Sequence, residues 1–253
     1  EFRRVLFRSN YKGDIMQRYF IESKQIKNNK ITIYGNDNHH IKNVMRMKIG
    51  DEIICCDNFQ NLFLTKIINI SDVVTVEIIE LMDTNNELNY DITIAHGLVR
   101  REKAEEVIRR MTELGGYQYI PLEMKRSVVR AKYDKTDRWE KLVKEASEQS
   151  ERSRLMKISE AMSMKELLNQ PFDLKLFADF IGEKNCFKEV INDFKGKSIL
   201  VVVGPEGGFD DSERDLLLNN NFKAISLGNT VLRTETAPLY IMSVLNYELG
   251  ARK

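Results

Sequence analysis

The chain is poor in cysteine. It has three among 253 residues, Cys55 and Cys56 side by side and Cys186 far from both. An odd, scattered set of this kind excludes a disulfide scaffold and supplies no metal-ligand spacing. Apolar runs are short: none approaches the about 20 residues that a membrane-crossing helix requires. No segment has the pattern of a secretory signal, so a cytoplasmic protein is expected. Neither sign of charge is in excess, with 39 Lys and Arg against 38 Asp and Glu and a net of +1. No internal repeat or low-complexity tract occurs. The Gly-Lys-Ser/Thr of a phosphate-binding loop and the G-x-G-x-x-G of a dinucleotide site are both missing, which removes the common diphosphate cradles.

The charge that is present is unevenly spread. Residues 1–96 carry a net of −1, residues 97–157 a net of +5 and residues 158–253 a net of −3. The basic middle contains Lys125, Arg126, Arg130 and Lys132 with no acid among them, and Lys42, Arg46 and Lys48 form an earlier group. Basic patches on a near-neutral protein suit a polyanion lying over part of the surface. The alternative is a solvated helix face, which accounts better for residues 100–110 with their glutamates.

Periodicity divides the chain. Residues 1–15 fit neither a strand nor a helix and precede a plausible initiator, Met16; they are expected to be a non-native or disordered extension. Short alternating runs at residues 31–34, Glu52–Cys56, 62–68 and 73–81 predict a small β-barrel. One helix, capped by Asn36 or Asp37, is expected among them, with Ile41, Val44, Met45 and Lys48 on one side. The polar stretch 83–87 is the expected boundary, giving domains at 16–86 and 87–253. Beyond it the pattern becomes α/β: strands at 92–99, 117–121, 174–180 and Ser198–Val203, and helices at 104–114 and 136–154. A last helix at 239–249 is apolar on most sides. Strands without polar alternation predict a parallel sheet covered on both faces.

Two junctions in this second part point to a ligand site. The apolar run Ser198–Val203 enters Gly204-Pro205-Glu206-Gly207-Gly208-Phe209, and residues 225–227 enter Gly228, Asn229 and the run 230–237. Loops that leave the carboxyl edge of a parallel sheet are where open α/β folds bind ligands. Asp210, Asp211 and Glu213 open the following helix and would repel a phosphate at its N-terminus. A neutral or cationic ligand, such as an adenosine bearing a sulfonium and an amine, fits these loops better. Ordinary helix capping by Asp210 or Asp211 is the competing account.

These same residues carry a resemblance. Gly204–Phe209 after its strand, and Leu227-Gly228 leading to Leu232-Arg233-Thr234-Glu235-Thr236-Ala237, resemble the RsmE family of 16S ribosomal RNA uridine-N3 methyltransferases, of the SPOUT class. Met16 to Phe20, His39-His40-Ile41, Val44 to Met47 with Gly50-Asp51, Lys103-Ala104-Glu105, Thr112 to Gly115, Arg126 to Val129 and Glu145 to Ser150 continue it in order. The chain departs from the family pattern at Asn229, Thr230 and Pro238, and at Glu151 and Met156.

The resemblance implies a SPOUT-type parallel sheet with a C-terminal trefoil knot, preceded by a PUA-like RNA-binding barrel. It implies S-adenosyl-L-methionine as cofactor, held by Gly204, Pro205, Glu206, Gly207, Gly208, Leu227, Gly228, Leu232, Arg233, Thr234 and Ala237. It also implies 16S rRNA or the assembled small subunit as substrate, a homodimer, and no metal or membrane. Methyl transfer needs donor carbon and nucleophile held in near-attack geometry. Uracil N3 must lose a proton, so a cation near O2 or O4 and a proton acceptor are wanted. The candidates are Arg126, Arg152, Glu206, Arg233 and Glu235. Candidate RNA contacts are Arg18, Lys42, Arg46, Lys48, Lys125, Arg126 and Arg130. Thr234 and Thr236 are expected to satisfy loop backbone, His39 and His40 to cap or pack the small helix, and His96 and Trp139 to be structural. Other readings are a related enzyme acting on a ribose 2′-hydroxyl or on tRNA, and a catalytically silent RNA-binding module of ribosome assembly.

Overall fold

The computed structural model describes residues 16–83, 86–129, 137–181, 185–192 and 194–250. The expected extension 1–15, and with it Arg130 and Lys132, lies outside the described residues. The chain divides into two compact units, Glu1–Thr84 and Asn85–Lys253.

The first unit is a six-stranded sheet formed by Arg18–Phe20 (β1), Ile26–Lys27 (β2), Lys30–Ile33 (β3), Glu52–Cys56 (β4), Leu62–Ile70 (β5) and Val74–Met82 (β6). Its order is β1-β4-β5-β6-β3-β2. Asn28 and Asn29, at φ +48° and +63°, make the two-residue turn that pairs Lys27 with Lys30. Two consecutive positive φ values match the right-handed twist of a tight hairpin, and asparagine tolerates them. Alternation does the rest: Ile31, Ile33, Val74 and Val76 point inward and join Tyr19, Ile41, Ile53 and Ile67 in one core.

A helix follows β3 but is shorter than its apolar spacing suggests. It runs over Gly35–His39 (α1), continues as one π-helical stretch to Val44, and buries only Ile41. Val44 and Met45 are exposed, and Arg46 turns the chain with φ +52°. The expected stripe through Lys48 is therefore broken by backbone geometry. His40 packs edge-on against Tyr19 and meets its hydroxyl at 3.0 Å.

The second unit is an all-parallel sheet of eight strands. In chain order its elements are Asp91–Gly97 (β7), Arg101–Glu113 (α2), Gln118–Glu123 (β8), Asp137–Gln149 (α3), Lys157–Ile158 (β9), Met162–Ser163 (β10) and Met164–Leu168 (α4). Then come Leu174–Ala178 (β11), Asn185–Cys186 (β12), Phe187–Asn192 (α5), Ser198–Val203 (β13), Asp211–Asn219 (α6), Lys223–Ser226 (β14) and Thr236–Gly250 (α7). The order is β10-β8-β7-β13-β11-β14-β12, with β9 beside β8. Among the described residues no helix is long and apolar enough to cross a membrane.

The sheet is buried on both sides, and β13 shows why its sequence lacks polar alternation. Ile199, Val201 and Val203 enter one core, with Ile92, Ile94, Val107, Met111, Trp139 and Ile241. Leu200 and Val202 enter the other, with Ala95, Leu122, Leu167, Phe209 and Leu217. A strand that feeds two cores must be apolar at every position. Gly115, at φ +85°, ends the chain path of α2 in the left-handed conformation that suits glycine beyond a helix. Asp210 caps α6, its side chain accepting from the Ser212 amide while Glu213 reaches back to the Asp210 amide. α7 buries Ala237, Ile241, Met242, Leu245 and Leu249 but leaves Tyr240 and Tyr247 exposed.

Candidate functional site

The sheet order fixes the site. β11 lies between β13 and β14, so the chain leaves β13, returns past β11 and pairs on its far side. Loops following all three strands therefore meet at the carboxyl edge. They enclose a cleft of about 470 Å³ lined by Ala178–Phe180, Val203–Glu206, Gly208, Phe209, Ser226–Gly228, Thr230–Glu235, Ala237 and, from the first turn of α2, Lys103.

Each glycine in the first loop answers a separate constraint. A Cβ on Gly204 would lie 3.3 Å from the backbone of Gly208, so the loop closes tightly on itself. Gly208 has open space around it but sits at φ +67°, where a side chain is strained. Gly207 does not line the cleft. Its missing Cβ makes room for Arg126, whose Cβ would otherwise be met at 2.9 Å. The second loop turns at Gly228, φ +121°, and tightens through the Thr236 and Ala237 amides, which both donate to the Arg233 carbonyl.

The charged lining is organised around Lys103. Its ammonium lies 3.1 Å from Glu206 Oε1 and 3.1 Å from Glu235 Oε2, joining the two loops. The hydrogen bond to Glu206, then the contact with Glu235, raises the Lys103 pKa. Burial alone would push Glu235 up, but its own amide and Lys103 outweigh that and hold it below the usual carboxylate range. Glu235 Oε2 is buried and its contact with Lys103 is an ion pair without a well-directed hydrogen bond. Asp179 also faces the cleft, with its charge met by Arg214 at 2.5 Å. Arg233 is exposed on the cleft wall. Beneath the loops, fully buried His96 contacts Tyr119 and Thr234, and Thr234 contacts the Gly204 carbonyl.

Of the residues expected to hold a ligand, Gly204, Pro205, Glu206, Gly208, Leu227, Gly228, Leu232, Arg233, Thr234 and Ala237 line the cleft, and Gly207 supports it from behind. Of the candidate catalytic residues, Glu206, Arg233 and Glu235 line it. Arg126 sits beside Gly207, its Nη1 donating to the Gly207 carbonyl at 3.4 Å.

Arg152 is elsewhere, which corrects its place among the catalytic cations. It is 3% exposed, pairs with buried Glu87 at 2.6 Å and donates to the carbonyls of Thr112 and Gly116. Those residues flank the amino ends of β7 and β8, so Arg152 clamps the sheet edge opposite the cleft. Its charge is spent on a buried carboxylate.

The basic residues separate in the same way. Arg18 is buried in the first unit, so it is not displayed to a polyanion. Lys42 donates to the Ser71 carbonyl, while Arg46 and Lys48 are exposed. Lys125 holds Asp210 at 3.0 Å and remains 60% exposed at its side chain. The Ser212 hydroxyl, then Lys125, brings Asp210 down to about 2. Arg130 lies outside the described residues. Lys103, Asp179 and His96 were missed as site residues from sequence. Among the described residues no group of three or more His, Cys, Asp or Glu is arranged to hold a metal ion.

The family description of an RNA methyltransferase domain matches residues 86–246, and that of an RNA methyltransferase PUA domain matches residues 33–79. The ribosomal RNA small subunit methyltransferase E of Bacillus subtilis (strain 168) is 39% identical over 249 residues, covering 92% of this chain and 97% of its own. A crystal structure described as that of a hypothetical protein is 38% identical with a TM-score of 0.84, covering 94% of this chain and all of the other. The ribosomal RNA small subunit methyltransferase E of Neisseria gonorrhoeae, solved bound to S-adenosyl methionine, shares the fold. Its TM-score is 0.82 at 24% identity, covering 92% of this chain and 98% of that one.

Proposed function

Since the chain belongs to the ribosomal RNA small subunit methyltransferase E family, we propose that it methylates N3 of one uridine in 16S rRNA, using S-adenosyl-L-methionine. The observation that carries this reading is the cleft where two glycine loops and two carboxylates meet at the carboxyl edge of the parallel sheet. Its residues fit such a donor. About 470 Å³ is the size of pocket that holds ligands of this class. The loops offer backbone groups for an adenosine, and Glu206 and Glu235 offer negative charge to a cation. When bound, the cofactor supplies an electrophilic methyl group on a sulfonium.

The chain's own residues orient the nucleophile and take its proton. Arg233, exposed on the cleft wall, and Arg126, beside Gly207, are the cations available to a uracil oxygen as N3 loses its proton. Glu206 is the better proton acceptor. Its side chain is 32% exposed against 16% for Glu235, whose carboxyl is also held low. Lys42, Arg46 and Lys48 in the first unit, and Lys125 and Arg126 in the second, are the residues proposed to meet phosphates.

The reading extends to a PUA-like barrel in the first unit, a trefoil knot in the C-terminal chain, a cytoplasmic homodimer, and the small subunit or its rRNA as substrate. The return of the chain past β11 to place β14 beyond it supports the knot. The exposed tyrosines of α7 support the dimer. Nucleoside analysis of 16S rRNA from a strain lacking this protein tests the function. One N3-methyluridine is expected to disappear and to return when purified protein and cofactor are added to the RNA or subunit. A ribose-methylated product, a tRNA product or an unchanged profile refutes the assignment.

A further inference from the structure

We infer that His96 is a positioning residue, which through the hydroxyl of Thr234 fixes the two cleft loops against each other and so sets the shape of the donor site. The inference rests on reading the cleft as that site. His96 is fully buried near the end of β7, and both of its ring nitrogens are engaged. Nδ1 lies 3.1 Å from the Tyr119 hydroxyl and Nε2 lies 2.8 Å from Thr234 Oγ1. Thr234 Oγ1 is 2.7 Å from the Gly204 carbonyl oxygen.

For an uncharged ring, a single assignment of protons satisfies all three contacts. A carbonyl only accepts, so the Thr234 hydroxyl donates to Gly204. Its oxygen can then only accept from His96, which places the ring proton on Nε2. Nδ1 is left with its lone pair and accepts from the Tyr119 hydroxyl. Full burial disfavours the charged ring, and the tautomer of the uncharged ring is dictated by its neighbours. Burial, helped by the nearby charge of Lys103, lowers the His96 pKa to about 4 against the raising influence of Glu206, Thr234 and Glu235.

The relay joins parts of the chain far apart in sequence, at a second point beside the Lys103 bridge between Glu206 and Glu235. Thr234 is on one cleft loop and Gly204 on the other. The support beneath them is stiff, because Tyr119 packs edge-on against Trp139 in the core. Next to His96, a Cβ on Gly97 would lie 2.5 Å from Pro205, so the end of β7 presses directly on the first loop. With its proton committed to Gly204 and its oxygen to His96, Thr234 shapes the cleft through its backbone position.

Two measurements test the relay. Nitrogen-15 spectra of the imidazole rings at pH 7 have three histidines to resolve. His96 is expected as a single Nε2–H tautomer that stays neutral well below the pH at which an ordinary histidine titrates. Calorimetry with S-adenosylhomocysteine then compares Thr234→Val with Thr234→Ser. The valine variant is expected to bind about tenfold more weakly, the loss typical of one buried hydrogen bond, and the serine variant within about threefold of wild type. A stable Thr234→Val protein with wild-type affinity overturns the positioning role. An Nδ1–H tautomer, or titration near an ordinary histidine pKa, overturns the relay even where the valine variant fails to fold. A wild-type chain that takes up no S-adenosylhomocysteine refutes the donor reading, and the positioning role falls with it; the ring spectrum then reports the relay alone.

Discussion

Replacing Arg152 with methionine separates a structural cation from a catalytic one. Methionine keeps much of the volume but removes the charge that faces Glu87 at 2.6 Å, together with the donors to the Thr112 and Gly116 carbonyls. Glu87 would keep Arg154 at 3.2 Å and the amides of Ser153 and Arg154. Removing one partner of a buried ion pair costs about 3–5 kcal/mol, and these remaining partners place the loss near the lower end. For a domain of this size each kcal/mol lowers the melting temperature by about 2–4 °C, so a fall of about 6–12 °C is expected.

The pH dependence has a definite sign. Burial would raise the Glu87 carboxyl, but the hydrogen bond and charge of Arg152, the Ser153 amide and Arg154 outweigh it and lower the pKa. A depressed folded pKa gives stability that is complete above the unfolded carboxylate value, about 4.3, and is lost as pH falls through the folded value. Arg152→Met should flatten that acid-side loss. Thermal and urea melts between neutral and acid pH measure both effects, and S-adenosylhomocysteine affinity below the melting range should stay within about twofold. A variant that melts like wild type yet fails to transfer methyl groups would refute this argument and restore a catalytic role for Arg152.

The cleft itself supports two further expectations. Gly208→Ala must hold a side chain at φ +67°, a strain of about 1–2 kcal/mol, while Gly207→Val drives its Cβ into Arg126. Both should weaken S-adenosylhomocysteine binding severalfold or more in calorimetry, and wild-type affinity in both would remove the loop from the site. Lys103→Met leaves Glu206 and Glu235 without their shared counter-ion, so the ratio of S-adenosylmethionine to S-adenosylhomocysteine affinity should rise a few-fold at low salt. Glu206→Gln should lower the same ratio, and an unchanged ratio in both variants would separate these charges from the donor's sulfonium.

What the sequence revealed and what it concealed divide along a physical line. Ser198–Val203 could be read as a doubly covered strand because burial on two faces leaves no position for a polar residue. The glycines around it were legible because backbone conformation and close approach restrict residue type locally. The helix after β3 was overextended for the converse reason. Val44, Met45 and Lys48 have helical spacing, yet the chain turns at Arg46, and spacing carries no information about φ.

Charge was harder still, because a charged residue's role depends on what faces it. Arg152 and Arg233 look equally available in sequence, but one meets a buried carboxylate 65 positions away and the other the wall of an open cleft. Arg18 was misread in the same way. Lys103 was read only as part of a motif and His96 only as structural, because each acts through partners more than 100 residues distant, brought near only by the order in which β7, β13 and β14 enter the sheet. The electrostatics of the cleft is thus a property of strand order. The glycine loops could be recognised without the fold, whereas the lysine and the histidine that tie them together could not.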